Sequence, residues 1–207
     1  MIHLYLIRHG EIPGNREKRY IGWTDQHLTE EGAAAIRKKK EAGFYPEADL
    51  VLASPLTRCV ETAAIICPEQ TPVLIDDWKE MSFGAFEGAN YLELSGDPRY
   101  QAWIDSGGEG AFPGGEDKAG YCARILRGFE FVKKMLAGRY PDSGDKTVLA
   151  AVHMGTIKVL ISELTGEGYF DVRSENGEGY EIELSGTDGD KHVLSAAAVR
   201  PLRGAGS

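Results

Sequence analysis

Short, nearly continuous apolar runs recur along the chain, separated by longer stretches that have a polar face. Apolar runs of this length are typical of buried β-strands. The predicted strands cover residues 2–7, 49–53, 72–75, 147–152, 180–184 and 193–199. The first strand leads directly into Arg8, His9 and Gly10, so we expect these residues at its C-terminal end.

Helical spacing of apolar positions predicts helices between the strands. The predicted helices cover residues 30–42, 55–67, about 116–138 and about 156–165. Thr29 opens the first helix and Gly43 ends it, while Ser54 and Pro55 supply an N-cap and a first-turn proline for the second. Because strands alternate with helices, we expect an α/β fold: a three-layer sandwich with a mostly parallel central sheet flanked by helices.

The segment 76–115 is rich in Gly, Pro, Trp and Tyr and has only short helical patches. We predict that it forms a lid-like insertion over the C-terminal ends of the strands. The length of 207 residues suits one core, so a single domain is expected over residues 1–207. Residues 204–207, Gly-Ala-Gly-Ser, are predicted to be a frayed tail.

The composition is that of an ordinary globular protein, with 42% hydrophobic and 27% charged residues. The formal net charge of −9 opposes binding to nucleic acid, since that affinity depends on cationic side chains. No apolar run approaches the roughly 20 residues of a membrane span, and no hydrophobic leader follows Met1. The three cysteines form no CxxC pair, so we expect neither disulfides nor structural zinc, and a cytoplasmic location.

Polar side chains suited to catalysis lie at or shortly after the ends of predicted strands. They occur at Arg8 and His9, between Ser54 and Arg58, at Glu80 and at His153. A single histidine after a strand is more often structural than catalytic. Two such histidines, each followed by a glycine within two residues and accompanied by two arginines, indicate a site where ligands of α/β sheets bind.

The residue types at these positions suit phosphoryl transfer. His9 is the predicted nucleophile, because a neutral imidazole can attack phosphorus when its second nitrogen is held by a hydrogen bond. Arg8 and Arg58 can bind the phosphoryl oxygens through bidentate, permanently charged groups, and His153, protonated beside a phosphate, is a third donor. Glu80 is predicted to protonate the leaving oxygen. Because the arginines supply the positive charge, we expect no metal and no cofactor.

Six motifs, in the expected order, resemble the histidine phosphatase superfamily, which is also called phosphoglycerate-mutase-like. They lie at residues 6–11 (Leu-Ile-Arg-His-Gly-Glu), 20–32, 54–58 (Ser-Pro-Leu-Thr-Arg), 80–88, 112–116 and 152–155 (Val-His-Met-Gly). The resemblance implies a phosphohistidine at His9 and proton donation by Glu80. The phosphate- or substrate-binding residues that it implies are Arg8, Asn15, Gly22, Arg58, His153 and Gly155.

The chain departs from the family pattern at two positions. The family usually has Ser or Thr directly after the Glu of the first motif, where this chain has Ile12. The second-histidine motif usually reads His-Gly, whereas Met154 here separates His153 from Gly155. Both departures concern expected substrate contacts rather than the phosphohistidine core.

The segment 88–115 favours a phosphatase over a mutase. The mutases that this chain resembles have an insertion rich in Arg and Lys, whereas Arg99 is the only cation here, against the acidic residues Glu93, Asp97, Asp105 and Glu109. Residues 80–88, Trp103 and 113–116 are similar to the α-ribazole-5′-phosphate phosphatase branch and to the fructose-2,6-bisphosphatase domain. An acidic, aromatic lid suits a neutral body with one phosphate, so the expected partner is a small phosphorylated metabolite. It is α-ribazole 5′-phosphate or another sugar or nucleoside phosphate.

Two alternatives to a phosphatase stay open. Phosphoglycerate mutase-type transfer uses the same phosphohistidine. A non-catalytic phosphate-binding regulator on the same scaffold predicts the loss of at least one core residue, yet all five are present.

Other polar residues have simpler explanations. Ser54 is better explained as a helix cap than as a nucleophile. The pair at 76–77 is better explained as a solvated loop than as metal ligands. His3, His27 and His192 are not expected to be ligands.

Overall fold

Six strands form one sheet in the computed structural model, which describes residues 1–141, 144–187 and 190–202. The strands are β1 (Ile2–Arg8), β2 (Leu50–Ala53), β3 (Val73–Leu74), β4 (Lys146–Val152), β5 (Gly179–Thr187) and β6 (Asp190–Pro201). Their order is β3-β2-β4-β1-β5-β6. The strands from β3 to β1 are parallel, while β5 is antiparallel to both β1 and β6. The predicted mostly parallel sheet is confirmed. The tail predicted at 204–207 and the side chain of His192 lie outside the described residues.

The strand order brings the polar ends of three strands together. β2, β4 and β1 are neighbours and parallel, so their C-terminal ends open at the same edge of the sheet. The register of β1 against β4 pairs Arg8 with Val152. Consequently His9 and His153 emerge side by side, with Ser54 following the adjacent strand.

Helices cover both faces of the sheet. They are α1 (Pro13–Arg16), α2 (Glu30–Glu41), α3 (Thr57–Ile66), α4 (Pro98–Asp105), α5 (Lys118–Arg139) and α6 (Met154–Thr165). Leu4 and Leu6 pack with α5 and α6, and Ile7 packs with α2 and α3, because side chains alternate between the faces along a strand. The three-layer arrangement is therefore confirmed. Among the described helices, none has the length and apolar character that crossing a bilayer requires.

The start of α3 differs from its prediction. The helix begins at Thr57 rather than Pro55, and Ser54 does not cap it. Instead, Asp25 accepts hydrogen bonds from the Thr57 N–H (2.9 Å) and from Thr57 Oγ1 (2.6 Å), which satisfies donors at the helix start. Ser54 Oγ lies 2.8 Å from His153 Nε2. The prediction that Ser54 acts as a helix cap is therefore wrong.

The segment 76–115 forms the predicted insertion at the C-terminal edge of the sheet. It contains two 3₁₀ turns, Asp76–Trp78 and Gly84–Phe86, followed by α4. A separate apolar cluster fills it, built from Phe86, Leu94, Phe112 and the partly buried Tyr20, Phe83, Tyr100 and Trp103. The Gly155 N–H donates to Glu80 Oε2 (3.3 Å), which holds the start of the insertion against the end of β4 and the start of α6.

Candidate active site

His9 follows β1 and is held by backbone contacts on both sides. Its N–H donates to the Val152 carbonyl (2.9 Å), and its own carbonyl accepts from Asn176 Nδ2 (2.8 Å). Its Nδ1 lies 2.7 Å from the Gly10 carbonyl. Because a carbonyl can only accept, Nδ1 carries the proton and Nε2 keeps a free lone pair.

The protonation state of His9 follows from its surroundings. Burial, together with the positive charges of Arg58 and Arg8, lowers the pKa of His9 to about 3, against a weaker opposing effect from the Gly10 hydrogen bond. The ring is therefore neutral at neutral pH, which is the form of imidazole that can act as a nucleophile.

Arg8 and Arg58 bring positive charge to His9, and neither pairs with a carboxylate among the described residues. Arg58 is completely buried, with Nη2 donating to the Gly22 carbonyl (2.7 Å) and Nη1 to the Thr24 carbonyl (3.2 Å). Arg8 Nη1 donates to the Ser174 carbonyl (2.7 Å), while its Nε is buried without a partner in the described part of the chain. Guanidinium groups oriented only by neutral acceptors keep a charge that attracts an anion.

His153 lies next to His9, with ring centroids 5.3 Å apart. Arg58 Nε donates to His153 Nδ1 (3.3 Å), so Nε2 carries the proton and donates to Ser54 Oγ (2.8 Å). Burial, and then the positive charge of Arg58, hold the pKa of His153 well below its ordinary value. The ring is therefore neutral here, and the predicted protonated form requires the negative charge of a bound phosphate to offset these effects.

Glu80 follows the first 3₁₀ turn of the insertion and has both carboxyl oxygens engaged. Oε1 accepts from Tyr121 Oη (2.8 Å) and from the Met81 N–H (2.9 Å), and Oε2 accepts from the Gly155 N–H (3.3 Å). A Cβ at position 155 would lie 2.3 Å from both Glu80 Oε1 and Tyr121 Oη. Glycine at this position therefore permits the close approach that orients the carboxyl.

Arg124 of α5 holds the backbone on which Glu80 is carried. Its Nη1 donates to the carbonyls of Asp77 (2.8 Å) and Lys79 (2.9 Å), and its Nη2 to that of Glu80 (3.2 Å). Glu116 accepts from the same guanidinium through both oxygens (2.8 and 2.7 Å). The position of Glu80 thus depends on the packing of α5 as well as on its own segment.

Glu87 organises the loop of residues 22–24, whose carbonyls orient Arg58. Its carboxylate accepts from the N–H groups of Gly22 (3.1 Å), Trp23 (2.9 Å) and Thr24 (3.2 Å). Burial raises the pKa of Glu87, but its hydrogen bonds outweigh burial and the net shift is downward. Glu87 is therefore a negatively charged carboxylate that holds the loop whose carbonyls orient Arg58.

Asn15, Gly22 and Gly155 are the binding residues that only the family resemblance implied, and all three lie in the site. Their hydrogen bonds there are to other protein groups. Asn15 Oδ1 accepts from the Ile12 N–H (3.2 Å) and from Asn176 Nδ2 (3.4 Å). The Gly22 carbonyl accepts from Arg58, and the Gly155 N–H donates to Glu80. A role for any of them in binding phosphate stays a prediction.

The two departures from the family pattern have clear places in the structure. Ile12 is 1% exposed, so its side chain is part of the interior. Met154 begins α6 and packs against the core that α5 and α6 share. It shifts Gly155 to the second position of the helix, where the glycine N–H reaches Glu80.

Sequence reasoning missed the roles of Ser54, Tyr121, Arg124, Glu87 and Asn176. Ser54 could have been found, because it follows a strand end as the two histidines do. Tyr121 and Arg124 lie three residues apart, which is one side of a helix, but their role depends on which segment α5 contacts. The remaining two act on backbone groups far away in sequence, and no local pattern indicates such contacts.

One group of described residues has the spacing of metal ligands, and it lies away from this site. Ligand atoms of His3, Glu181 and Glu183 lie within 4.8 Å of one another. Arg200 forms salt bridges with both glutamates. His3 lies six residues before His9, roughly 20 Å along an extended strand, so the group is not part of the site.

The assembled groups suit phosphoryl chemistry. A neutral imidazole with a free nitrogen can attack phosphorus, two guanidinium groups can bind the phosphoryl oxygens, and a fixed carboxyl can move a proton.

Comparisons with known proteins agree with this chemistry. The chain is 33% identical over 174 residues to 2,3-bisphosphoglycerate-dependent phosphoglycerate mutase 2 of Gloeobacter violaceus, across 79% of this chain and 76% of that protein. It is 26% identical over 205 residues to the adenosylcobalamin/alpha-ribazole phosphatase of Escherichia coli, across 96% and 98% of the two chains. The crystal structure of the alpha-ribazole phosphatase from Shigella flexneri matches with a TM-score of 0.77 and 25% identity, across 97% of this chain and 95% of that chain.

The family resemblance expected from the motifs is confirmed over almost the whole chain. Residues 4–195 match the histidine phosphatase superfamily, branch 1, whose similar members are named as phosphatases and mutases. The chain therefore belongs to branch 1 of the histidine phosphatase superfamily.

Proposed function

We propose that the protein is a phosphomonoester hydrolase that works through a phosphohistidine at His9. The observation that carries the proposal is the free Nε2 of a neutral His9 beside Arg8 and Arg58. Neither arginine pairs with a carboxylate within the described residues, so both can bind the oxygens of a phosphate.

In the first step, Arg8, Arg58 and His153 bind the phosphate and His9 Nε2 attacks phosphorus in line with the leaving group. The Nε2–P bond forms while the P–O bond to the leaving group breaks, and the electron pair of that bond goes to the leaving oxygen. Glu80, in its protonated form, gives its proton to this oxygen. A neutral alcohol then departs.

In the second step, water attacks the phosphorus of the phosphohistidine and Glu80, now a carboxylate, accepts a proton from that water. The P–N bond breaks and its electron pair returns to Nε2. Inorganic phosphate leaves, and His9 is again neutral. The two arginines carry the charge of the phosphoryl oxygens through both steps, so the mechanism uses no metal.

A mutase is the second candidate, because the Gloeobacter violaceus relative carries that name. The insertion supports hydrolysis instead. Arg99, the only cation of segment 88–115, is exposed and pairs with Asp97 (Nη2 to Oδ2, 2.6 Å), so it offers little to a second anionic group of a substrate. Turnover of 2- and 3-phosphoglycerate separates the two: a hydrolase releases inorganic phosphate, whereas a mutase interconverts them.

For the substrate, we propose α-ribazole 5′-phosphate or another small sugar or nucleoside phosphate. Support comes from the similarity to the Escherichia coli adenosylcobalamin/alpha-ribazole phosphatase, which extends over 96% of this chain. A panel of sugar, nucleoside and glycerate phosphates, with phosphate release as the readout, ranks these candidates.

The test of the proposal uses p-nitrophenyl phosphate with wild type, His9→Ala and the control variant His27→Ala, whose histidine is exposed. We expect wild type and His27→Ala to turn over equally, and His9→Ala to lose at least roughly 10³-fold in kcat. Mass spectrometry after an alkaline quench should find a phosphoryl adduct on wild type and none on His9→Ala. If wild type does not turn over p-nitrophenyl phosphate, this result contradicts the proposed hydrolase function and favours a phosphate-binding regulator.

A further inference from the structure

A cleft of about 440 Å³ opens beside the proposed active site. Its walls come from the insertion, from α5 and α6, and from the segment that follows α6. Six aromatic side chains line it: Tyr20, Phe83, Trp103, Phe112, Tyr169 and Phe170. Its size suits a small organic molecule, and its lining suits an apolar, planar one.

The cleft adjoins the proposed proton donor. Met81 lines the cleft, and its N–H donates to Glu80 Oε1 (2.9 Å). Tyr169 and Lys158 also line it: burial raises the pKa of Tyr169 and lowers that of Lys158, and the negative charge of Glu80 acts on both as a smaller, raising influence. A leaving group that takes a proton from Glu80 therefore has this cleft beside it.

Two lysines hold one aromatic wall of the cleft in place. Lys118 Nζ lies 5.0 Å from the ring centroid of Tyr169 and 5.2 Å from that of Phe170. Lys158 Nζ lies 5.3 and 5.4 Å from the same two centroids. The two rings also meet edge to face at 5.1 Å. Cation–π and aromatic contacts of this kind orient the wall before a ligand arrives.

The aromatic lining side chains Tyr20, Trp103 and Phe112 also pack against one another. Trp103 lies over Phe112 with ring centroids 4.8 Å apart, and Tyr20 packs against both. Among the lining residues, Phe170 is 55% exposed and Ile104 is 45% exposed. Large apolar side chains gathered around a concave surface mark a binding site more often than scattered ones do.

We infer that this cleft binds the leaving group of the substrate and selects a planar aromatic ring, such as a nucleoside base, over a bare sugar. The inference rests on the proposed function, since it assigns the part of the substrate that leaves as the alcohol. Stacking of a base on aromatic side chains contributes about 1–3 kcal/mol, which corresponds to roughly 5- to 150-fold in kcat/KM.

Adenosine 5′-phosphate and ribose 5-phosphate test the inference, because they share the phosphate, the sugar and the leaving oxygen and differ in the base. We expect wild type to favour the nucleotide at least roughly fivefold in kcat/KM. Ile104→Ser and Phe170→Ser should each lower kcat/KM for adenosine 5′-phosphate about threefold or more beyond any loss for ribose 5-phosphate, and so lower this preference. Phe131→Ser is the matched control, because Phe131 is 57% exposed on α5 and does not line the cleft.

The outcomes separate this inference from the proposed function. Turnover of p-nitrophenyl phosphate without any preference for the nucleotide overturns the inference and leaves the hydrolase standing. Equal losses for both substrates in Phe170→Ser also overturn it, because a wall residue then acts on the chemistry rather than on the base. Absence of turnover for every phosphate ester contradicts the hydrolase itself.

Discussion

The carboxyl of Glu80 is oriented by Tyr121 Oη and by the N–H groups of Met81 and Gly155. Glutamine keeps much of this shape but has no proton to give. We expect Glu80→Gln to lower kcat for an alkyl phosphate by roughly 10²- to 10⁴-fold, the range of general acid catalysis. With p-nitrophenyl phosphate the loss should be smaller, because its leaving group needs little protonation. Steady-state kcat for both esters measures the difference.

Glu130→Gln is the control for this substitution, since Glu130 is an exposed glutamate of α5 that pairs with Lys133 (2.7 Å). Its activity should match wild type for both esters. Equal losses for the alkyl and the aryl ester in Glu80→Gln would mean that Glu80 does not protonate the leaving group.

At the scale of single residues, the sequence predicts the position of a side chain when that residue lies directly at the end of a predicted strand. His9, Arg8 and His153 lie at the ends of apolar runs, so their position at the C-terminal edge of the sheet could be predicted, whereas their catalytic roles stay predictions. Ser54 was misassigned because a serine before Pro55 also matches a helix start. Its hydrogen bond to His153 depends on the adjacency of β2 and β4, which no local pattern indicates.

The 22–24 loop is the element most dependent on one side chain. Glu87 accepts three N–H groups of this loop, and the loop carbonyls hold Arg58. Glutamine in place of Glu87 has no negative charge, and its NH₂ group replaces one of the two acceptor oxygens with a donor. We expect Glu87→Gln to lower the unfolding free energy by about 1.5–3 kcal/mol, the range of hydrogen bonds to charged groups. The same substitution should raise KM for p-nitrophenyl phosphate, because Arg58 loses its orientation.

Glu93→Gln provides the comparison within the same insertion. Glu93 is an exposed partner of Arg19 (2.7 Å), and exposed ion pairs contribute about 0–1 kcal/mol. In Glu93→Gln, the unfolding free energy measured in urea and the KM for p-nitrophenyl phosphate should therefore change little. If Glu87→Gln behaves like Glu93→Gln in both measurements, the loop does not depend on Glu87.

The ends of a helix could be predicted where the residue that caps or terminates it lies next to it in the sequence. Thr29 caps α2 by accepting the Gly32 N–H (2.9 Å), and Gly43 follows that helix with φ of 71°. The start of α3 was not predictable in this way, because Asp25 satisfies the Thr57 donors from 32 residues away. Contacts of that kind exist only after the loop before α2 packs against the sheet edge.

Across the whole molecule, the two buried histidines couple stability to pH. His9 and His153 both have pKa values below the ordinary 6.5 of histidine. As the pH falls below 6.5, the unfolded chain binds protons at both residues, whereas folded His9 does so only near pH 3. The unfolding free energy should therefore fall with falling pH, by up to about 1.4 kcal/mol per pH unit for each histidine.

The interval from pH 6.5 to 5 isolates this effect, because carboxylates with lowered pKa, such as Glu87, lose stability only below their ordinary 4.5. Urea unfolding in phosphate-free buffer should show a shallower pH slope in His9→Gln than in wild type. His27 provides the control: it is exposed, and its hydrogen bond to Glu61 raises its pKa, so it favours the folded state at low pH. His27→Gln must therefore leave the slope unchanged or steeper. Equal slopes in wild type and His9→Gln would mean that folded His9 takes up its proton over the same pH interval as the unfolded chain, which contradicts its lowered pKa.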